Sequence, residues 1–190
     1  MGYKAKVGLS NKHLHLKQED LDTLFGKGHG LTSYKPLVQP DQYAAEEKVD
    51  IVGPKGTLKG VRILGPVRPE TQVELSVTDA RAIGIKIPVR ESGKLEGTPG
   101  CKLIGPSGNV ELDHGVIAAL RHIHLSPEQA KEAGVKDKDM ISLRIEGERG
   151  LTLNNVLVRS GGQHESEVHL DTDEGNAAGC GPETVAEIVK

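Results

Sequence analysis

Two His-X-His steps carry the clearest chemical signal in the sequence: His13-Leu14-His15 and His122-Ile123-His124. If each step lies on an extended strand, its two imidazoles point to the same face, because side chains alternate between the faces of a strand. A pair of neutral imidazoles can chelate a metal ion, and zinc is a metal ion that imidazole nitrogens bind well. Protein zinc sites usually have three or four ligands, so each pair needs a third ligand.

Internal repetition suggests these third ligands. Residues 73–84 align with residues 168–179 without a gap, matching Val, Leu, Ala and Gly positions, and Glu74 then lies opposite His169. We therefore predict two metal sites, one formed by His13, His15 and Glu74 and the other by His122, His124 and His169. Three protein ligands leave a coordination position open, as in catalytic zinc sites and unlike closed structural ones.

An isolated His-X-His step has a simpler interpretation, because it is more often a surface or hydrogen-bonded histidine pair than a ligand set. Two steps with a matching downstream pattern favour metal binding. The remaining histidines are His29, His114 and His164. We leave these three unassigned, and we interpret His114 as a turn residue and His164 as a loop residue.

Composition excludes several function classes. Hydrophobic residues make up 36% of the 190 residues and aromatics only 2%, which favours an aliphatic core of short strands. The net charge of -3 and the lack of a basic run with interleaved aromatics argue against a nucleic-acid partner. Cys101 and Cys180 match neither a disulfide framework nor a cysteine metal motif.

No stretch approaches the roughly 20 apolar residues of a membrane span, so we expect no membrane association and a cytoplasmic location.

Many short strands must position these histidines. Alternation predicts a strand over residues 4–9, feeding the first His-X-His step. Further strand-like pieces, separated by Gly and Pro, cover residues 49–52, 57–64, 71–77, 101–104, 109–112, 140–146, 151–158 and 165–170. This spacing predicts a mainly β fold of small barrels or sandwiches.

Short helices follow both His-X-His steps. Residues 17–25 form an amphipathic pattern that ends at Gly26. Ser126-Pro127-Glu128-Gln129 has the features of a helix start, and Gly134 marks the end of that helix. Residues 34–47 show little periodicity and are interpreted as a lid or an inter-barrel flap.

Motifs of one known family occur in the family's order along the chain: Ser10-Asn11-Lys12-His13-Leu14-His15-Leu16, Gln42-Tyr43-Ala44-Ala45, Arg62-Ile63-Leu64-Gly65-Pro66-Val67-Arg68, Thr71-Gln72-Val73-Glu74, Arg121-His122-Ile123-His124 and His169-Leu170-Asp171-Thr172-Asp173-Glu174. On these motifs the chain resembles the PduL-type phosphotransacylases over essentially its whole length. The resemblance implies an enzyme that interconverts acyl-coenzyme A and phosphate with acyl phosphate and coenzyme A.

The resemblance also implies an architecture. It predicts two small antiparallel β-barrels with short helical caps, two zinc ions per chain bound between the barrels, and a homodimer. One domain would contain residues 1–11 and 120–190, and the other residues 12–119, with a flap at about residues 42–56. Known members of this family that enter bacterial microcompartments carry an amphipathic N-terminal extension. This chain begins nine residues before Ser10, which favours a free cytoplasmic enzyme.

The resemblance implies roles for individual residues. The family's metal ligands fall on the same six residues that the repeat selects. Its phosphate-binding arginine falls on Arg68, which the sequence alone would make a surface cation or a salt-bridge partner of Glu70. The family's coenzyme A contacts correspond to Ser10, Lys35, Arg62, Leu64 and Asn176. The resemblance also places His169 close to the coenzyme A. The chain departs from the family pattern at Lys12, Leu125 and Gly175, and none of these is a proposed ligand.

Two other function classes remain open at this stage. A zinc hydrolase of thioesters or phosphate esters would use the same open coordination positions, with water in place of phosphate. A non-catalytic metal-binding protein would keep the histidines without turnover. Within the transferase interpretation, propanoyl and acetyl groups differ by one methylene, worth only about 1–3 kcal/mol in a pocket, so the acyl preference is not predicted.

Overall fold

The computed structural model describes residues 2–189 and divides them into two compact units. The barrel unit contains residues 2–10, 38–40 and 120–189, and the sheet unit contains residues 11–37 and 41–119. No helix among the described residues is both long enough and apolar enough to cross a membrane.

Strands dominate both units. In chain order the strands are β1 (Lys4–Ser10), β2 (His13–His15), β3 (Ser33–Pro36), β4 (Tyr43–Gly53), β5 (Gly56–Gly65), β6 (Gln72–Glu74), β7 (Val89–Arg90), β8 (Cys101–Ile104), β9 (Asn109–Leu112), β10 (Val116–Ala119), β11 (His122–Leu125), β12 (Met140–Ile145), β13 (Leu151–Ser160), β14 (Glu167–Asp171) and β15 (Val185–Val189). The helices are α1 (Gln18–Phe25), α2 (Val77–Ala82), α3 (Pro127–Ala133) and α4 (Thr172–Ala178).

The barrel unit is a closed six-stranded barrel in the order β1-β14-β11-β13-β12-β15. Strand β1 is parallel to β14, and β11 is parallel to β13, while the other neighbouring pairs are antiparallel. Alternate residues of these strands, including the fully buried Ile123, Val158 and Val168, meet in one apolar core. His122 and His124 flank Ile123 on β11, so their side chains project from the opposite face of the sheet.

The sheet unit is a mixed nine-stranded sheet. Its path runs β7-β10-β6-β2-β5-β4-β8-β9, and β3 pairs with β4. The short strand β2 lies between β5 and β6 and contributes the fully buried Leu14 to the core. Because Leu14 points into the core, His13 and His15 share the other face of the strand.

The helix ends follow from their capping residues. Helix α3 begins at a capping box, in which the Ser126 side chain accepts from the Gln129 backbone, and it ends at Gly134 with φ 69°. Helix α1 ends before Gly26, whose φ of 107° favours glycine. Both boundaries confirm the sequence-based prediction. Helix α4 begins with a second capping box, between Asp171 and Glu174, that the sequence analysis overlooked.

The mainly β class is confirmed, although several details differ. The prediction of a strand over residues 71–77 is wrong at its end, because Ser76 caps α2 by accepting from the Asp79 backbone. Residues 34–47 contain most of β3 and the start of β4. The predicted second antiparallel barrel is a mixed sheet, and the barrel itself contains parallel pairs.

Candidate active site

The first predicted ligand group lies on two neighbouring strands of the sheet unit. Strand β2 is antiparallel to β6 in a register that places His13 directly opposite Glu74. His13 Nε2 is 3.4 Å from Glu74 Oε2, and His15 Nε2 is 3.9 Å from Glu74 Oε1. The three side chains offer ligand atoms that all lie within 4.8 Å of one another. The structure therefore brings together the first three residues that the sequence selects.

Backbone carbonyls orient both imidazoles of this group. His13 Nδ1 donates to the Asn11 carbonyl at 2.8 Å, and His15 Nδ1 donates to the Leu64 carbonyl at 3.2 Å. A carbonyl only accepts, so Nδ1 carries a proton in each ring and Nε2 points towards Glu74. Metal-bound histidines in proteins have this arrangement, with the second ring nitrogen held by a carbonyl or carboxylate.

Burial and charge set the protonation of the group. Burial and the neighbouring charges of His13 and Arg68 lower the pKa of His15 to about 3, so this ring is neutral at pH 7. Burial raises the pKa of Glu74, but the charges of His13, His15 and Arg68 outweigh it and hold that pKa well below its usual range. Burial lowers the pKa of His13, but the Glu74 carboxylate outweighs it and raises the pKa. A buried carboxylate and a neutral imidazole fit a cation.

Arg68 lies beside this group, and two residues that the sequence analysis overlooked connect them. Arg68 Nη1 donates to Ser92 Oγ at 3.3 Å, and Ser92 Oγ lies 3.5 Å from Glu74 Oε1. Gln72 Nε2 donates to Ser92 Oγ at 2.8 Å and to Glu74 Oε1 at 2.5 Å. Gln72 Oε1 in turn accepts from the Gly93 backbone at 2.7 Å. This network fixes the carboxylate and the guanidinium relative to each other.

The second predicted ligand group lies on the barrel unit. Strand β11 is antiparallel to β14, and His122 lies directly opposite His169. The ring centroids of His122, His124 and His169 are 4.8 to 4.9 Å apart, and their ligand atoms also lie within 4.8 Å of one another. The structure therefore brings together the second set of three residues as well.

The hydrogen bonds of this group also leave ring nitrogens for a metal ion. His122 Nδ1 donates to the Leu120 carbonyl at 2.9 Å, as His13 does to Asn11. His169 Nε2 donates to Glu167 Oε2 at 2.6 Å. Buried His124 Nδ1 has no hydrogen-bond partner within residues 2–189, although buried polar atoms normally have one.

A divalent metal ion fits this second group. Burial and the charges of His122, His169 and Arg159 lower the pKa of His124 to about 2, so the ring is neutral and able to act as a ligand. Three imidazoles on one face are a typical donor set for zinc with an open position. The unpartnered nitrogen of His124 is the observation that fits a bound ion best, while the ligand role of each residue stays a prediction.

The two groups are built alike. In each, a His-X-His strand is antiparallel to the strand that carries the third side chain, and the first histidine faces it. Helices α2 and α4 begin at Val77 and Thr172, which the sequence alignment pairs with each other. The internal repeat itself stays a prediction.

The residues assigned to coenzyme A by resemblance lie in both units. In the sheet unit, Arg62 is the β5 neighbour of His13 and stacks its guanidinium 4.6 Å from the centroid of the Tyr34 ring. The Leu64 carbonyl accepts from His15, and Lys35 is exposed on β3. The other two, Ser10 and Asn176, belong to the barrel unit, at the end of β1 and on α4. Their binding roles stay predictions.

The three unassigned histidines have different surroundings. His29 stacks on Phe25 and its Nε2 donates to Glu47 Oε1 at 2.9 Å. His114 lies in the loop after β9, where Nε2 donates to Glu70 Oε1 at 2.6 Å. The loop residue His164 packs against the second ligand group, with its ring centroid 4.5 Å from that of His124.

The sequence is similar to those of known proteins along most of its length. A sequence profile described as phosphate propanoyltransferase matches residues 6–181. This chain belongs to the phosphate propanoyltransferase family. It is 56% identical to a Thermotoga maritima phosphate propanoyltransferase over 90% of this chain and 82% of the relative. It is 51% identical to a Salmonella typhimurium phosphate propanoyltransferase over 96% of this chain and 88% of the relative. The resemblance to PduL-type enzymes is thereby confirmed.

The three departures from the family pattern have local explanations in the structure. Lys12 Nζ pairs with Asp79 Oδ1 at 3.3 Å, and Leu125 is fully buried in the barrel core. A Cβ atom at Gly175 would clash with Leu9 Cδ2, so an alanine there requires the Leu9 side chain to move. None of the three alters the two ligand groups.

Proposed function

We propose that this chain is a phosphate acyltransferase that interconverts a short-chain acyl-coenzyme A and phosphate with acyl phosphate and coenzyme A. The proposed acyl donor is propanoyl-coenzyme A or acetyl-coenzyme A, and the proposed cofactor is two zinc ions per chain. The observation that carries the proposal is the assembly of six predicted ligands into two three-residue groups, in a chain whose relatives are named phosphate propanoyltransferases.

The chain's own residues would hold and orient the substrates. His13, His15 and Glu74 would hold one zinc ion and the three-histidine group the other, and bound zinc supplies Lewis-acid polarisation of an acyl carbonyl and neutralises developing charge. Arg68 would bind phosphate through two parallel hydrogen bonds from its guanidinium. Its bond to Ser92 keeps that guanidinium beside Glu74, so orientation would supply much of the rate.

Direct attack by phosphate is the proposed route. A phosphate oxygen forms a bond to the thioester carbonyl carbon, the carbon–sulfur bond breaks, and the coenzyme A thiolate leaves and takes up a proton. An acyl-enzyme on cysteine is disfavoured, because burial and the nearby Glu111 charge raise the pKa of Cys101 to about 12. Burial also raises the pKa of Cys180. Double-reciprocal plots should intersect, whereas parallel lines would exclude direct attack.

Coenzyme A would contact the five residues that the family resemblance assigns to it. Arg62 and Lys35 offer positive charge to its phosphate groups, and Arg62 is held in place by Tyr34. Ser10, Leu64 and Asn176 are assigned on family resemblance alone, as is the homodimer. Substitution of Arg62 by Met should raise KM for acyl-coenzyme A by roughly tenfold, the loss expected for one charge-assisted contact.

The test is thiol release from propanoyl-coenzyme A and acetyl-coenzyme A by zinc-quantified protein, with and without phosphate. The proposal predicts release that requires phosphate and is lost in His122→Ala. A matched control is His29→Ala, which removes a histidine outside both ligand groups. Release without phosphate would instead identify the alternative, a zinc-dependent thioester hydrolase, and no release at full zinc loading would identify a binding protein.

A further inference from the structure

One arginine of the barrel unit faces the three-histidine group. Strands β11 and β13 are parallel, and their register pairs His124 with Arg159. Residues paired across neighbouring strands project to the same side of a sheet. Arg159 therefore shares the outer face of the barrel with His122, His124 and His169, while the alternate residue Val158 points into the core.

Arg159 differs from the other arginines of this unit in having no partner among the described residues. Arg121 pairs with Glu174 at 3.4 Å, Arg144 pairs with Glu187 at 3.2 Å, and Arg149 donates to a backbone carbonyl. Within residues 2–189, the half-buried Arg159 side chain has no ion pair and no hydrogen bond. A partly buried charge without a counter-charge is costly, which makes this guanidinium a site for an anion.

The surroundings of Arg159 leave it available to a ligand. The neighbouring carboxylates have other partners: Glu167 accepts from His169, and Asp137 accepts from the Ser160 backbone at 2.8 Å. Burial lowers the pKa values of His124 and His164, and the charge of Arg159 lowers both further. Arg159 therefore contributes positive charge beside the three histidines, and a metal ion bound to them would add to it.

We propose that Arg159 is the anion-binding arginine of the three-histidine group and that it takes a phosphate-type oxyanion. The planar guanidinium matches two oxygens of a phosphoryl group, which a lysine cannot do. Resting on the proposed function, the oxyanion is either free phosphate or the phosphoryl group of acyl phosphate. Arg159 would thus contact substrate, which is also the role expected of Arg68.

The test is isothermal titration of the zinc-loaded protein with inorganic phosphate and, separately, with acetyl phosphate in the absence of coenzyme A. Arg159→Met should weaken at least one of these ligands by about 10- to 100-fold, the loss expected for a charge-assisted pair. Loss for inorganic phosphate identifies free phosphate as the occupant, and loss for acetyl phosphate alone identifies the product. Zinc content should stay at two per chain.

Two further variants make the result decisive. Arg144→Met removes an exposed arginine of the same barrel, and it should bind both ligands as the parent does. Arg159→Lys keeps the positive charge but loses the paired N–H donors of the guanidinium, so it should lose less affinity than Arg159→Met. If Arg159→Met does not fold, Arg159→Lys takes its place in the test. Binding of both ligands by both Arg159 variants within twofold of Arg144→Met would overturn the proposal. The titration measures binding and not turnover. A failure of the Arg159 proposal can therefore be distinguished from a failure of the proposed acyltransferase activity.

Discussion

Gln72 offers a direct test of how the sheet-unit site is supported. Its side chain, 2% exposed, donates to Glu74 at 2.5 Å and to Ser92 at 2.8 Å and accepts from Gly93 at 2.7 Å. Gln72→Leu keeps the approximate volume and removes all three bonds. Loss of a hydrogen bond that orients a ligating carboxylate typically weakens metal binding by about 10- to 100-fold. The free energy of unfolding should also fall by about 1–3 kcal/mol, because the Gly93 N–H loses its acceptor.

Competition with a chromophoric chelator would measure zinc affinity, and the step that disappears in His13→Ala would identify the sheet-unit site. Gln72→Leu should weaken that step and leave the three-histidine step unchanged. The matched control is Gln18→Leu, because Gln18 is an exposed residue of α1 that bonds Asp22, and it should change neither step. Parent-like zinc affinity in Gln72→Leu, with stability reduced as expected, would refute the supporting role of this amide.

Three further predictions concern the fold and the thiols. Ile123→Ala, at a fully buried position of the barrel core, should lower the free energy of unfolding by about 2–5 kcal/mol in urea titrations, whereas Ile104→Ala, at 42% exposure, should cost far less. Ser126→Ala should lower it by about 0.5–2 kcal/mol through loss of the α3 cap, and an unchanged midpoint would contradict the capping argument. Burial and the Glu111 charge raise the pKa of Cys101 to about 12, so roughly one thiol in ten thousand should be ionised at pH 8. Alkylation of Cys101 should therefore be slow until urea unfolds the chain, and rapid labelling of the native protein would contradict this prediction.

Local signals made part of the fold predictable. Strands β8 and β9 match the predicted ranges 101–104 and 109–112, since each contains alternating apolar and polar residues and begins directly after a glycine. The start of α3 was also predictable, because Ser126 and Gln129 form a capping box within four residues. The same kind of signal, Asp171 followed by Glu174, was present before α4 and was overlooked.

Other features depend on pairing between distant segments. Strand β7 is only two exposed residues, and it exists because β10 pairs with it. Since β10 also pairs with β6, this arrangement brings Ser92, just after β7, beside Gln72 on β6. No spacing within the sequence indicates that contact. Likewise, Arg159 reaches the face of His124 only through the parallel register of β11 and β13.

The grouping of the six predicted ligands could be predicted from the sequence because two regularities combined. The period of two along β2 and β11 places each histidine pair on one face. The alignment of residues 73–84 with 168–179 then selected Glu74 and His169, and the antiparallel registers set these two side chains opposite the first histidines. The ligand role of the six residues is what zinc titration of the single variants would test.

In the proposed reaction, phosphate and not water accepts the acyl group. The most direct test is ³¹P NMR of zinc-loaded protein incubated with propanoyl-coenzyme A and inorganic phosphate, with thiol release followed in the same sample. We predict a propanoyl phosphate resonance that grows in step with thiol release and is absent with His122→Ala. Thiol release accompanied by free propanoate and an unchanged phosphate resonance would contradict the account.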